Sequence, residues 1–109
     1  MEDELIFSDE KDLSPQLVGE PWKVLIIDDE SEVHKVTKLA LKRFVFDGRP
    51  LEFISAYSGR EARTLLKTLS DVAVILLDVV METEDAGLEL VHFIRKDMNN
   101  DTSRIILRT

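Results

Sequence analysis

The sequence predicts an α/β fold, a doubly wound parallel sheet with helices on both faces. Three observations carry that prediction. From Trp22 onward, short apolar runs alternate with segments of helical period in the order β-α-β-α-β-α-β. The first run is apolar at consecutive positions, as a strand covered on both faces requires. Strands separated by helices join in parallel through right-handed crossovers.

Residues 23–27 form the predicted first strand, in which the four residues after Lys23 are apolar and three of them β-branched. Residues 31–46 follow as a first helix, with Val33, Val36, Ala40 and Phe44 on its apolar face and charges between them. Asp47, Gly48, Arg49 and Pro50 stop that helix and turn the chain. Residues 51–57 are the second strand. Ser58 with Glu61 three positions on has the spacing of a capping box, so a second helix starts there and faces inward with Ala62, Leu65, Leu66 and Leu69. Residues 71–77, the most apolar segment, form a central strand. Leu90, Val91, Ile94 and Met98 mark a third helix ending near Asn99 and Asn100, and residues 104–109 form a fourth strand.

At 109 residues, with 44% hydrophobic and 33% charged residues, the chain holds one ordinary globular domain. Without cysteine it has neither disulfides nor a thiolate metal site. Its longest apolar run, 72–77, is far short of the roughly 20 residues of a membrane helix. The acidic N-terminus is unlike a basic signal-peptide start. A cytoplasmic protein is expected, without membrane association. Residues 1–21 carry seven acids and one base, so most of the net charge of −8 lies in an acidic leader read as a solvated tail. The domain proper is 22–109. No basic stripe exists for direct nucleic-acid binding.

In an open α/β sheet, ligands bind outside the carboxyl ends of the strands. Two predicted strands end in acids: the first runs into Asp28 and Asp29, the third into Asp78. If the strands are neighbours, three carboxylates converge and repel one another. A hard divalent cation, Mg²⁺ or Mn²⁺, resolves that conflict. An aspartate beside such a cation is a competent nucleophile toward a phosphoryl group. Thr109 ends the fourth strand, where its hydroxyl is placed to donate to a phosphoryl oxygen. An acidic pair after a strand is by itself ordinary loop chemistry; the combination with a strand ending in Asp78 and another in Thr109 is not.

The segments VLIIDDES (24–31), SGREA (58–62), VILLDVVM (74–81), Gly87 and IILRT (105–109) resemble the receiver domain of bacterial two-component response regulators. The resemblance spans roughly residues 23–109. It implies a flavodoxin-like fold with strand order 2-1-3-4-5. It also implies that Asp78 is the phosphoacceptor, that Asp28, Asp29, Asp78 and the backbone carbonyl of Val80 hold the metal, and that Thr109 is the switch hydroxyl. Partners would be a histidine kinase or phosphotransfer protein and an output domain beyond residue 109. The acidic leader before the first strand further resembles receivers that precede cyclic-dinucleotide phosphodiesterase modules.

Three departures from the family pattern stand out. Glu82 occupies the position, four residues after the acceptor, where receivers usually carry proline. The stretch between Asp78 and Gly87 is one residue longer than usual and adds Glu82, Glu84 and Asp85. These acids either complement the third helix's dipole or tune metal affinity and the lifetime of the phosphorylated state. Lastly, the fifth strand, its flanking helices and the lysine that pairs with the phosphoryl group are missing from this chain. The fourth strand is then expected to be an apolar edge prone to dimerisation or strand exchange.

Lesser candidates fall to plainer readings. His34 is expected on the surface of the first helix, and His92 and Arg95 as ordinary residues of the third. Trp22 should cover the base of the first strand, and Met81 should pack. A pseudo-receiver that binds partners without phosphorylation is the alternative function; retention of all three acids argues against it. An aspartate-nucleophile phosphohydrolase of the haloacid dehalogenase type needs a second acid two positions after its nucleophile. Asp78 is followed by Val79 and Val80, so that spacing is absent.

Overall fold

The structure is a computed structural model and describes residues 19–79 and 85–108. Its elements are β1 (Trp22–Ile27), α1 (Ser31–Ala40), β2 (Val45–Phe46), β3 (Arg49–Ala56), α2 (Gly59–Thr68), β4 (Val72–Asp78), α3 (Ala86–His92) and β5 (Arg104–Arg108). They form one five-stranded sheet in the order β2-β3-β1-β4-β5. All pairings are parallel except β2 with β3. Without the short β2, the order reproduces the second-first-third-fourth arrangement of the flavodoxin-like class. The predicted α/β architecture is the one observed.

The first helix corrects the sequence reading. It ends at Ala40 rather than at 46, because Val45 and Phe46 turn back on Arg49 and Pro50 as an antiparallel hairpin. Asp47 and Gly48 both take positive φ, 54° and 75°, the conformation a two-residue hairpin turn demands. The Asp-Gly pair is therefore a hairpin signal and not only a helix stop. The inward face is also rotated from the predicted one. His34 is the buried residue of α1, whereas Val36 and Phe44 are 59% and 49% exposed. The expectation of a surface histidine fails for a physical reason: both of its ring nitrogens find partners inside the protein.

The second helix forms as its sequence dictates. Ser58 Oγ accepts from the Glu61 amide at 3.0 Å, and Glu61 Oε1 accepts from the Tyr57 amide at 2.6 Å. Ala62 and Leu66 then reach the core. The third helix continues past His92 as a π-helical turn, Phe93–Asp97, and the chain leaves it at Asn99 with φ 53°.

Strand alternation divides the sheet into two faces. Leu25, Ile27, Ile75 and Leu77 point toward α2 and α3 and build the core with Ala62, Leu66, Leu90 and Ile94. On the opposite face, a cleft of about 290 Å³ is lined by Ile26, Leu76 and Ile106 together with Val33 and Thr37 of α1. Trp22 sits at the start of β1, where its indole donates to Phe46 O at 2.8 Å and the Arg49 guanidinium lies 3.5 Å from its ring centroid. It ties the hairpin to the base of the first strand. β5 is the sheet edge, with Ile106 55% exposed. No helix among the described residues is long and apolar enough to cross a membrane.

Candidate functional site

Register decides whether the acids meet. β1 and β4 are adjacent and parallel, with Ile27 opposite Leu77, so the next residues, Asp28 and Asp78, emerge side by side. Asp29 follows in the same turn. One carboxylate oxygen from each of Asp28, Asp29 and Asp78 lies within 4.8 Å of the others. The sequence reading required this convergence, and the fold supplies it.

The three carboxylates differ in their surroundings. Asp28 is buried, 2% exposed, and heavily tied down. Its Oδ1 accepts from the Glu30 amide at 2.9 Å, an Asx-type turn that starts α1. Its Oδ2 accepts from Arg108 Nη2 at 2.8 Å. Its own amide donates to Ala56 O at 3.1 Å, and its carbonyl accepts from His34 Nε2 at 2.8 Å. Because Nε2 must carry a proton to donate to a carbonyl, Nδ1 of a neutral imidazole accepts from the Ser55 hydroxyl, 2.8 Å away. The His34 ring also packs on Tyr57, with centroids 4.3 Å apart. Asp29 is exposed, and Asp78 is half-buried at the strand end.

The chain beyond Asp78 is fastened on two sides. The Val79 amide donates to Arg108 O, and its carbonyl accepts from the Gly87 amide, both at 3.0 Å. A Cβ on residue 87 would stand 2.4 Å from Val79 Cα and 2.7 Å from Asp78 O. Only glycine allows α3 to start this close to the site.

Arg108 is the residue that sequence reasoning missed. It stands opposite Asp78 in the β4–β5 register, and its Nη2 lies 3.7 Å from Asp78 Oδ2 as well as 2.8 Å from Asp28 Oδ2. The hydrogen bond and charge of Asp28 raise the guanidinium's pKa further above its ordinary value. The available signal was a lone charge among the apolar residues of 105–108, one position before the proposed switch threonine. Lys23, by contrast, works at the far end of β1, where its Nζ donates to Ser70 O at 3.0 Å.

Val80, Met81, Glu82, Glu84 and Thr109 lie outside the described residues. Asp85 is exposed at the start of α3, and its carbonyl accepts from the Glu89 amide at 2.9 Å.

As donors, Asp28, Asp29 and Asp78 offer only hard carboxylate oxygens, all at one strand edge. That set fits Mg²⁺ or Mn²⁺ and suits neither a soft metal nor the tetrahedral nitrogen and sulfur shell of structural zinc.

Comparison with known proteins agrees with this geometry. No family model matches the chain. It is 53% identical over 90 residues to the 3'3'-cGAMP-specific phosphodiesterase 2 of Vibrio cholerae, covering 83% of this chain and 17% of the relative. It is 34% identical over 87 residues to a chemotaxis protein CheY homolog of Campylobacter jejuni, covering 80% of this chain and 63% of that protein. Among solved structures it is similar to a response regulator receiver protein from Pseudomonas putida, with TM-score 0.66 and 28% identity over 83% of this chain and 69% of that one. It is also similar to CheY6 as seen in a complex with the P1 domain of CheA3 from R. sphaeroides, with TM-score 0.61, 25% identity and coverage of 82% and 64%. Fold, relatives and acidic strand ends together define a receiver domain of the response-regulator class. The chain spans less than two thirds of the curated relatives it matches.

Proposed function

We propose that this receiver accepts a phosphoryl group on Asp78 from a histidine kinase or phosphotransfer protein and switches conformation in response. The observation that carries this reading is the convergence of Asp28, Asp29 and Asp78 within 4.8 Å at the carboxyl ends of two adjacent parallel strands. Asp28, Asp29, Asp78 and the backbone carbonyl of Val80 would hold Mg²⁺ or Mn²⁺. When bound, the ion offsets the mutual repulsion of the carboxylates and neutralises charge on the incoming phosphoryl oxygens.

Asp78 attacks phosphorus in line with the bond to the donor's imidazole nitrogen. The new bond joins phosphorus to a carboxylate oxygen. The breaking bond leaves its electron pair on the ring nitrogen, which takes a proton from solvent. The buried, hydrogen-bonded Asp28 stays fixed during this exchange, held by its bonds with Glu30, Ala56 and His34. The acyl phosphate adds about −1.5 to −2 charge, and the Thr109 hydroxyl turns toward it, shifting a two-state equilibrium in the domain.

Residues 1–21 form a leader to the receiver of 22–109, the protein is cytoplasmic, and its partner in phosphotransfer is a kinase domain. The CheY6 complex with CheA3 supports that kind of partner. The similarity to the V. cholerae phosphodiesterase supports an output in cyclic-dinucleotide turnover. Association of copies through the β5 edge is part of the same reading, and a monomer that resists concentration would remove it.

Incubating the protein with a small phosphodonor and Mg²⁺ and measuring intact mass should show one added phosphoryl group, absent in Asp78→Asn. An adduct that persists in Asp78→Asn overturns the assignment. A pseudo-receiver would take up neither the phosphoryl group nor the metal.

A further inference from the structure

We propose that Arg108 is a built-in counter-cation of the acidic site, and that a divalent ion binds by displacing its guanidinium from Asp28. This inference rests on reading the triad as a cation site and concerns what occupies it beforehand.

Three features converge on Arg108. Its Nη2 bonds Asp28 Oδ2 at 2.8 Å and stands 3.7 Å from Asp78 Oδ2, so one cationic group spans two of the three carboxylates. The position is fixed by register, since Arg108 is the β5 partner of Asp78 and β5 is held there by the bond from the Val79 amide to Arg108 O. Finally, the two partners differ in freedom. The Asp28 side chain is 3% exposed and the Arg108 side chain 54% exposed.

Those exposures decide which partner moves. Asp28 Oδ1 is engaged by the Glu30 amide, so Oδ2 is the oxygen through which Asp28 would bind a metal. That oxygen carries the guanidinium. Two cations within bonding distance of one oxygen repel, and only the arginine has open solvent to swing into. The guanidinium thus satisfies a buried carboxylate while the metal is absent, which keeps the acid cluster folded without an ion. It also makes the metal compete for its ligand.

The test is a Mg²⁺ titration by calorimetry of the intact protein, Arg108→Met, Arg108→Lys and Asp28→Asn at fixed ionic strength. Arg108→Met keeps an unbranched side chain over the apolar wall and removes the charge. It should bind Mg²⁺ at least about 10-fold more tightly than the parent. Arg108→Lys should fall between them, because a single ammonium reproduces the charge and not the fork. Equal or weaker binding by Arg108→Met overturns the inference while leaving the cation site standing. Failure of both parent and Arg108→Met to bind Mg²⁺ removes the cation reading and this inference with it. Asp28→Asn should lose binding in either case.

A second measurement does not depend on the variants folding. In protein labelled with ¹⁵N-arginine, the Arg108 side-chain resonance should move toward that of a solvated guanidinium as Mg²⁺ saturates the site. A resonance unchanged at saturation overturns the displacement.

Discussion

His34 Nε2 donates to the backbone carbonyl of Asp28 at 2.8 Å from inside α1, and the Ser55 hydroxyl meets the other ring nitrogen at the same distance. One buried imidazole therefore joins the turn after β1 to the end of β3. The acidic pair takes its position from this bond as much as from the strand it follows.

His34→Leu should accordingly lower stability by about 2–4 kcal/mol, because it strands a buried carbonyl and a hydroxyl that the imidazole now satisfies. Ser55→Ala removes only one partner and should cost about 1 kcal/mol. Urea denaturation would separate the two variants. If His34→Leu unfolds at the parent's midpoint, the ring is not what holds the turn.

Gly87 offers a second check, on the other side of the site. Its Cβ position is filled by the backbone of Val79 at 2.4 Å and Asp78 O at 2.7 Å, none of which can rotate away. Gly87→Ala must push α3 from the end of β4, a strain of about 1–3 kcal/mol. It should also weaken Mg²⁺ binding, since the backbone it pushes on is that of Asp78 and Val79 at the acidic site. A denaturation midpoint and a metal titration would read both effects. Unchanged values in each would mean that the Asp78–Val79 backbone yields freely.

These two residues show what was legible in the sequence. Gly87 could be singled out from the family pattern, and its close approach to Val79 supplies the physical reason. The alternation of apolar runs and helical segments was legible too, because strand burial leaves consecutive apolar residues and capping leaves Ser58 and Glu61 at fixed spacing. Asp28 and Asp78 were readable as strand-end acids, and adjacency of β1 and β4 makes them one site.

The burial of His34 is not legible in the sequence, for a different reason. A polar residue at helical spacing has no sign of burial until its partners are known, and Asp28 O and Ser55 Oγ come from other elements. Arg108 was invisible in the same way. Its role exists only once β5 pairs with β4 in a register that sets it opposite Asp78. Asp47 and Gly48 spell the hairpin of β2 and β3, but the apolar residues ahead of them also continue a helical pattern that hides it.

The capping box gives a prediction free of functional content. Ser58→Ala removes the acceptor for the Glu61 amide and should cost about 1 kcal/mol. Neither side chain belongs to the acidic triad, so phosphodonor labelling of Asp78 should continue at the parent's extent when measured well below the variant's melting temperature. A loss of labelling under those conditions would place the start of α2 within the switch.

The sharpest contrast lies within the acidic pair. In metal-free protein at low salt, Asp29→Asn removes one of three clustered charges from an exposed position and breaks no hydrogen bond recorded for Asp29 among the described residues. Relief of repulsion should raise stability by up to about 1 kcal/mol. Asp28→Asn removes the same charge but also converts a buried, charge-assisted bond from Arg108 into a weaker one, and should lower stability by about 1–3 kcal/mol. The two neighbours thus change stability in opposite directions without metal. Both should lose Mg²⁺ affinity by about 10-fold or more, or about 1.4 kcal/mol at the least. Thermal melts in chelator and then in excess Mg²⁺ would show both effects on the same samples. Matching melting shifts for the two variants in chelator would mean that Arg108 gives Asp28 no special support.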